Sequence, residues 1–174
     1  TTMNATYIPS PADSAAGNLT LTLTTTGNGL CNAVSDQMII SVTPSPTVNA
    51  GANQTICADI TNVTLAGTVA VASGGTWTTS GSGSFTPNAN TLNAVYHPSA
   101  ADTAAKTVTL TLTTTGNGTC NAVSDKMAIT ITSKPIVKAG ADQSACANAE
   151  FINLSGFVAN ATGGIWTTSG GGFF

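Results

Sequence analysis

Threonine and apolar residues alternate with period two over Thr107-Val108-Thr109-Leu110-Thr111-Leu112-Thr113, which predicts a strand with one face in a core and one in water. Leu19, Leu21 and Leu23 repeat that pattern earlier in the chain. Met127, Ile129 and Ile131 alternate in the same way, as do Met38, Ile40 and Val42. Asn117-Gly118 opens the loop between the two later strands, a turn signal because both residues tolerate positive φ. Further strands are predicted over Val63, Leu65, Gly67 and Val69, echoed by Ile152, Leu154, Gly156 and Val158. Gly75–Thr79 and Leu92–Tyr96 add two more, the second stopped by Pro98. Only Ser99–Lys106 reads as helical, and eight residues without an amphipathic stripe make at best a turn of helix leading into the strand after it.

These patterns recur at one offset. Leu23-Thr24-Thr25-Thr26-Gly27-Asn28-Gly29 returns as Leu112-Thr113-Thr114-Thr115-Gly116-Asn117-Gly118, 89 residues later. Cys31 corresponds to Cys120, Cys57 to Cys146, Trp77 to Trp166 and Tyr7 to Tyr96. A period of this length with strand-like content predicts a tandem array of small domains. Linkers at Thr43-Pro44-Ser45-Pro46 and Thr132-Ser133-Lys134-Pro135 divide the chain into three. Residues 1–46 are expected to be the C-terminal part of one repeat, 47–134 a complete repeat, and 135–174 the N-terminal part of the next. Two readings of that frame stand: a window on a longer chain, or a subunit whose partial domains complete those of neighbouring copies head to tail. Seven short strands per 89 residues, with turns every 8–12, predict an all-β chain of immunoglobulin-like β-sandwiches. Trp77, Trp166, Leu110 and Leu112 are its expected core residues.

Composition narrows the function. Charged residues make up 6% of the chain, against roughly 25% in an average soluble protein. A net charge of −3 with four Lys and Arg residues leaves no basic stripe for nucleic acid. No run approaches the ~18 consecutive apolar residues of a membrane span. Four cysteines occur without a CxxC pair, and the single His97 cannot complete a zinc set, so a disulfide framework and an oxidising, extracellular compartment are expected. Cys57 and Cys120 share the complete repeat and are the expected pair, leaving Cys31 and Cys146 with partners outside the chain. The alternative is a bond between adjacent repeats, where an A–B corner and an F–G loop meet at the junction.

The segments Asn49-Ala50-Gly51-Ala52-Asn53-Gln54-Thr55-Ile56-Cys57-Ala58, Gly74-Gly75-Thr76-Trp77-Thr78-Thr79-Ser80-Gly81 and Gly118-Thr119-Cys120-Asn121 carry a resemblance. With the threonine-rich strand they resemble the PKD-like and immunoglobulin-like repeats of giant cell-surface adhesins of Bacteroidota, including those used in gliding motility. The resemblance implies export to the cell surface, long tandem arrays, and use as adhesive filaments or spacers. The acidic glycine-rich turn of the PKD pattern is missing here, so no role of individual PKD residues carries over.

Candidate chemistry is sparse. Asp13, Asp36, Asp59, Asp102, Asp125, Asp142 and Glu150 fall nearly all in predicted turns, where carboxylates bond local backbone. No calcium-loop spacing is present, and no catalytic, cofactor or metal residues are expected. Trp77, Tyr96 and Phe85 are considered as a sugar-stacking platform, with core packing the preferred role for Trp77. Asp13-Ser14-Ala15 and Asp102-Thr103-Ala104 resemble the acceptor motif for O-linked glycans in Bacteroidota exports, making Ser14 and Thr103 candidate acceptors. Their other reading is an N-cap for the short helical turn. The expected function is a non-enzymatic spacer or fibre segment of an extracellular filament or giant adhesin, with copies of itself or adjacent repeats as partners. A multivalent carbohydrate-binding module, or an accessory domain of a secreted enzyme, is the alternative, with surface glycans as partners.

Overall fold

The computed structural model describes residues 3–174; the first two residues of the expected 1–46 segment lie outside them. The N-terminal segment holds helix α1 (Pro11–Ala16) and the antiparallel hairpin of β1 (Asn18–Thr24) and β2 (Ser35–Ser41). The central segment begins with β3 (Thr47–Asn49), β4 (Gln54–Cys57), β5 (Val63–Thr64) and β6 (Thr68–Ala70). It continues with β7 (Gly74–Thr79), β8 (Ser84–Thr86) and β9 (Val95–His97). Helix α2 (Ala100–Ala105) then leads into β10 (Thr107–Thr115) and β11 (Ser124–Thr132). Beyond the second linker lie β12 (Ile136–Lys138) and β13 (Phe157–Ala159), paired antiparallel. The chain is β-rich, as the period-two pattern predicts.

In the central segment β4, β11, β10 and β7 form one sheet in that order, and β5, β9 and β8 a second. β10 pairs antiparallel with β11 and β7, whereas β4 runs parallel to β11. Side chains of both sheets meet in one buried cluster. β10 contributes Val108, Leu110 and Leu112, and β11 contributes Met127, Ile129 and Ile131. Trp77 of β7 lies among them, facing Val63, Leu65, Ala94 and Tyr96 from the other side of the cluster. Every residue of this cluster falls between Ala50 and Ile131.

Three predicted strands come out differently. The run from Val63 to Val69 is broken: β5 pairs with β9, but β6 pairs with β3. Gly67 lies at the crossing, where a Cβ would stand 2.7 Å from Leu112 and 2.8 Å from Trp77, so the chain passes directly over the core. The Leu92–Tyr96 strand is shorter, Val95–His97, because Ala94 N–H donates to Thr91 O in a turn instead of a ladder. The echoed run from Ile152 to Val158 forms a strand only at Phe157–Ala159, and Trp166, expected in the core, is exposed.

The flanking segments explain that last result. β1 and β2 keep the register of β10 and β11: Leu21 faces Met38 as Leu110 faces Met127. β12 and β13 likewise repeat the pairing of β3 with β6. In each case both members of the pair lie in the same segment. Residues 163–168 correspond to β7, whose partner is β10, and nothing of that kind exists within 135–174. The counterparts of β4, β5 and β9, at 143–146, 152–153 and 6–8, also lack their partners and are not strands. A lone strand leaves its backbone groups without ladder bonds, so sheet forms only where both halves are at hand.

Candidate functional site: two open apolar faces

The feature that distinguishes this molecule is a pair of uncovered core faces, one on each flanking segment. Leu112 is fully buried, but Leu23 is 63% exposed. Met127 is 1% exposed against 58% for Met38, and Trp77 1% against 41% for Trp166. Ile152, Leu154 and Tyr7 are exposed where Val63, Leu65 and Tyr96 are buried. On the N-terminal segment these side chains form an open trough lined by Met3, Tyr7, Leu21, Leu23 and Met38. On the C-terminal segment a second trough is lined by Val137, Leu154, Phe157, Ile165 and Trp166. Trp166 stacks on Phe174 with ring centroids 6.4 Å apart, which leaves much of the indole in solvent. Both faces carry core-type side chains without a cover among the described residues.

The carboxylates serve the backbone. Ser99 caps α2, accepting at Oγ from Asp102 N–H, while the Asp102 carboxylate accepts from Ser99 N–H at 2.9 Å. The cap is therefore Ser99, with Asp102 at the third helical position, a reciprocal capping box and not an Asp N-cap. Asp102 is buried and also accepts from Tyr96 Oη at 2.7 Å and Ser82 N–H at 3.0 Å. Burial pushes its pKa up, but the bonds from Ser99, Tyr96 and Ser82 outweigh it and hold the carboxyl below the ordinary aspartate value. Asp13 repeats the arrangement in the open: Tyr7 Oη donates at 2.7 Å and Ser10 N–H at 2.8 Å, and the Tyr7 bond leads in lowering its pKa. Asp125 accepts from Ala50 N–H at 2.8 Å, tying the entry of the central segment to β11.

The remaining sequence candidates separate. Leu110, Leu112 and Trp77 lie in the core; Trp77 Nε1–H donates to Leu92 O at 3.1 Å. Tyr96 is buried beside Phe85, with centroids 5.1 Å apart, so these rings offer no paired platform for a sugar. His97 lies between Thr61 O and Thr86 Oγ1 at 3.1 and 2.9 Å. Ser14 is exposed on α1, while Thr103 is half-buried on α2 and donates from Oγ1 to Ser99 O. Among the described residues no cluster of three or more potential metal ligands occurs. No helix among them is long and apolar enough to cross a membrane.

The cysteines correct the expected pairing. All four are free thiols in this structure. Cys57 lies opposite Thr132, the last residue of β11, whereas Cys120 precedes the first, Ser124. Eight strand residues span about 27 Å, and even a loop folded straight back leaves the two far beyond the roughly 7 Å a disulfide bridges. A Cys57–Cys120 bond within the central segment is incompatible with this sheet. Sequence reasoning missed it because two cysteines in one repeat imply nothing about which end of the sheet each occupies. Cys120 instead meets the linker: its thiol donates to Thr43 O at 3.7 Å and Pro44 O at 3.6 Å.

Compared with known protein families and with curated proteins, the chain matches none.

Proposed function

We propose that this chain is a non-enzymatic structural segment of an extracellular bacterial filament or giant repeat adhesin, built from 89-residue immunoglobulin-like sandwiches that act as rigid spacers. One observation carries the reading. Helix Pro11–Ala16 and the β1–β2 register have counterparts 89 residues later in Ala100–Ala105 and β10–β11, which supports a repeating unit of that length. Repeated modules in line extend and cohere; their function is length and stiffness. The hydrogen-bonded carboxylates Asp13, Asp102 and Asp125 hold two helix caps and a strand entry, which fits a scaffold. A surface of threonine, serine and asparagine with few charges lets neighbouring copies approach without repulsion. Cysteines recurring at the period, together with the resemblance to Bacteroidota adhesin repeats, favour the cell surface as location.

The test is direct. Surface protease treatment of producing cells should remove the protein, and shed material should show fibres with an axial repeat in negative stain. Protein found only inside intact cells, or fibre-free globular particles, would sink the reading.

A further inference from the structure

The two cysteines of the central segment stand at its two ends, each beside a linker. At the entry, the loop between β10 and β11 carries Cys120, whose thiol donates to Thr43 O at 3.7 Å and Pro44 O at 3.6 Å. At the exit, β4 and β11 finish together, with Cys57 opposite Thr132, the first residue of the next linker. Ala58 N–H donates to Thr132 O at 2.9 Å, and Thr132 Oγ1 donates to Ile56 O at 3.0 Å. The departing chain is thus held on both sides of Cys57. Ile56 packs against the core, and alternation turns Cys57 to the outer face of the sheet. Both cysteines are half-buried.

Thr43 and Thr132 are the same position one period of 89 residues apart. The contact that Cys120 makes with Thr43 is therefore the contact that the equivalent cysteine of a following repeat makes with Thr132. Two approaches converge on one carbonyl: the backbone beside Cys57 from the repeat that ends there, and a thiol from the repeat that begins. We infer that a disulfide staples consecutive repeats of one polypeptide, joining the Cys57 position of the first to the Cys120 position of the second across the linker. This rests on the repeat reading above and supplies a source for the stiffness proposed there.

The distances suit the bond. Paired strands lie about 4.8 Å apart, so Cys57 is one strand spacing from Thr132, whose carbonyl the incoming sulfur touches. That is within the roughly 7 Å between Cα atoms that a disulfide spans, whereas Cys57 and Cys120 of one repeat lie a sheet's length apart. The bond forms as the two thiols exchange with a disulfide oxidant RSSR, giving the protein disulfide and two RSH. Each junction then has two covalent ties, the linker and the staple, and two ties resist bending that one permits.

A full-length chain with residues 46–134 present twice in succession contains the junction and tests it. The first variant keeps only Cys57 of the leading copy and Cys120 of the following copy, with every other cysteine Cys→Ser. The second keeps only Cys57 and Cys120 of the leading copy. Under oxidised glutathione the first should stay monomeric on non-reducing gels, lose two hydrogens in intact mass and stop reacting with iodoacetamide. The second should remain open, its thiols free or glutathionylated. A Cys→Ala version of the first should close as well, which separates loss of the pair from a folding defect of the serines. A first variant that melts cooperatively yet stays reduced or takes up two glutathiones would overturn the inference. Closure of the second variant, or linkage between molecules, would overturn it too. None of these results touches the cell-surface and fibre test above, so the two readings fail separately.

Discussion

The hairpins 18–41 and 107–132 share register, turn sequence and nearly the same apolar residues, yet one is buried and the other bare. Leu110, Leu112 and Met127 have no access to solvent worth counting, while Leu23 and Met38 are more than half exposed. The difference lies in what covers each. Trp77, Val63, Leu65 and Tyr96 close over β10 and β11, and no residue of the N-terminal segment but Tyr7 corresponds to any of these four. Hairpin formation is thus a local property set by alternation and the Asn-Gly turn. Burial is a property of the partner strands, and a solitary hairpin is marginal without them.

The comparison can be broken most sharply at tryptophan. Trp77→Ala empties the centre of the cluster and should cost about 4 kcal/mol in urea unfolding. Trp166→Ala in the isolated chain should leave the central transition within about 0.5 kcal/mol of the parent. Equal losses would mean that the C-terminal segment has its own closed core. Asp102→Ala removes a buried acceptor from Tyr96, Ser82 and Ser99 and is expected to cost about 3 kcal/mol.

The pH dependence follows from the lowered pKa of Asp102. Its stabilisation is complete above the ordinary aspartate value of about 3.9 and is lost as pH falls through the lower folded value. Acid titration of the melting transition should show that slope, and Asp102→Asn should flatten it. A steeper acid loss in the variant than in the parent would contradict the assignment.

Smaller effects sharpen the contrast. Gly67→Ala drives a methyl into Leu112 and Trp77 and should destabilise by about 2 kcal/mol. Gly156→Ala meets only the half-free Trp166 and should change the central transition little. Lys106 ends α2 with φ of 63°, where the corresponding residue after α1 is Gly17 at 76°. Lys106→Gly should raise stability by about 1 kcal/mol, because glycine adopts left-handed backbone without a Cβ clash. An unchanged or lower melting temperature would show that the Lys106 side chain makes a compensating contact.

Much of this was readable from residues. Alternation located β10, β11, β1 and β2, and the Gly-Thr-Trp-Thr-Thr run located β7. The Val63–Val69 run misled, since period two persists while the chain changes sheets at Gly67. The capping box was half visible: Asp102 was recognisable as a helix-start residue, but Ser99 as the cap required backbone geometry. For the candidate site, the apolar residues at 21, 23, 38, 154 and 166 were legible as core-formers. Their exposure was not, because a hydrophobic pattern specifies a wish for cover and says nothing about the source of it.

By itself the sequence determined which residues seek a core, where the chain turns, and the 89-residue offset at which both recur. These are local matters of side-chain alternation and turn chemistry. Tertiary structure alone decided that only the central segment closes, and that Cys57 and Cys120 occupy opposite ends of a sheet. Both depend on non-local strand pairing: a ladder forms where its partner is within reach, and its direction fixes what stands beside each residue.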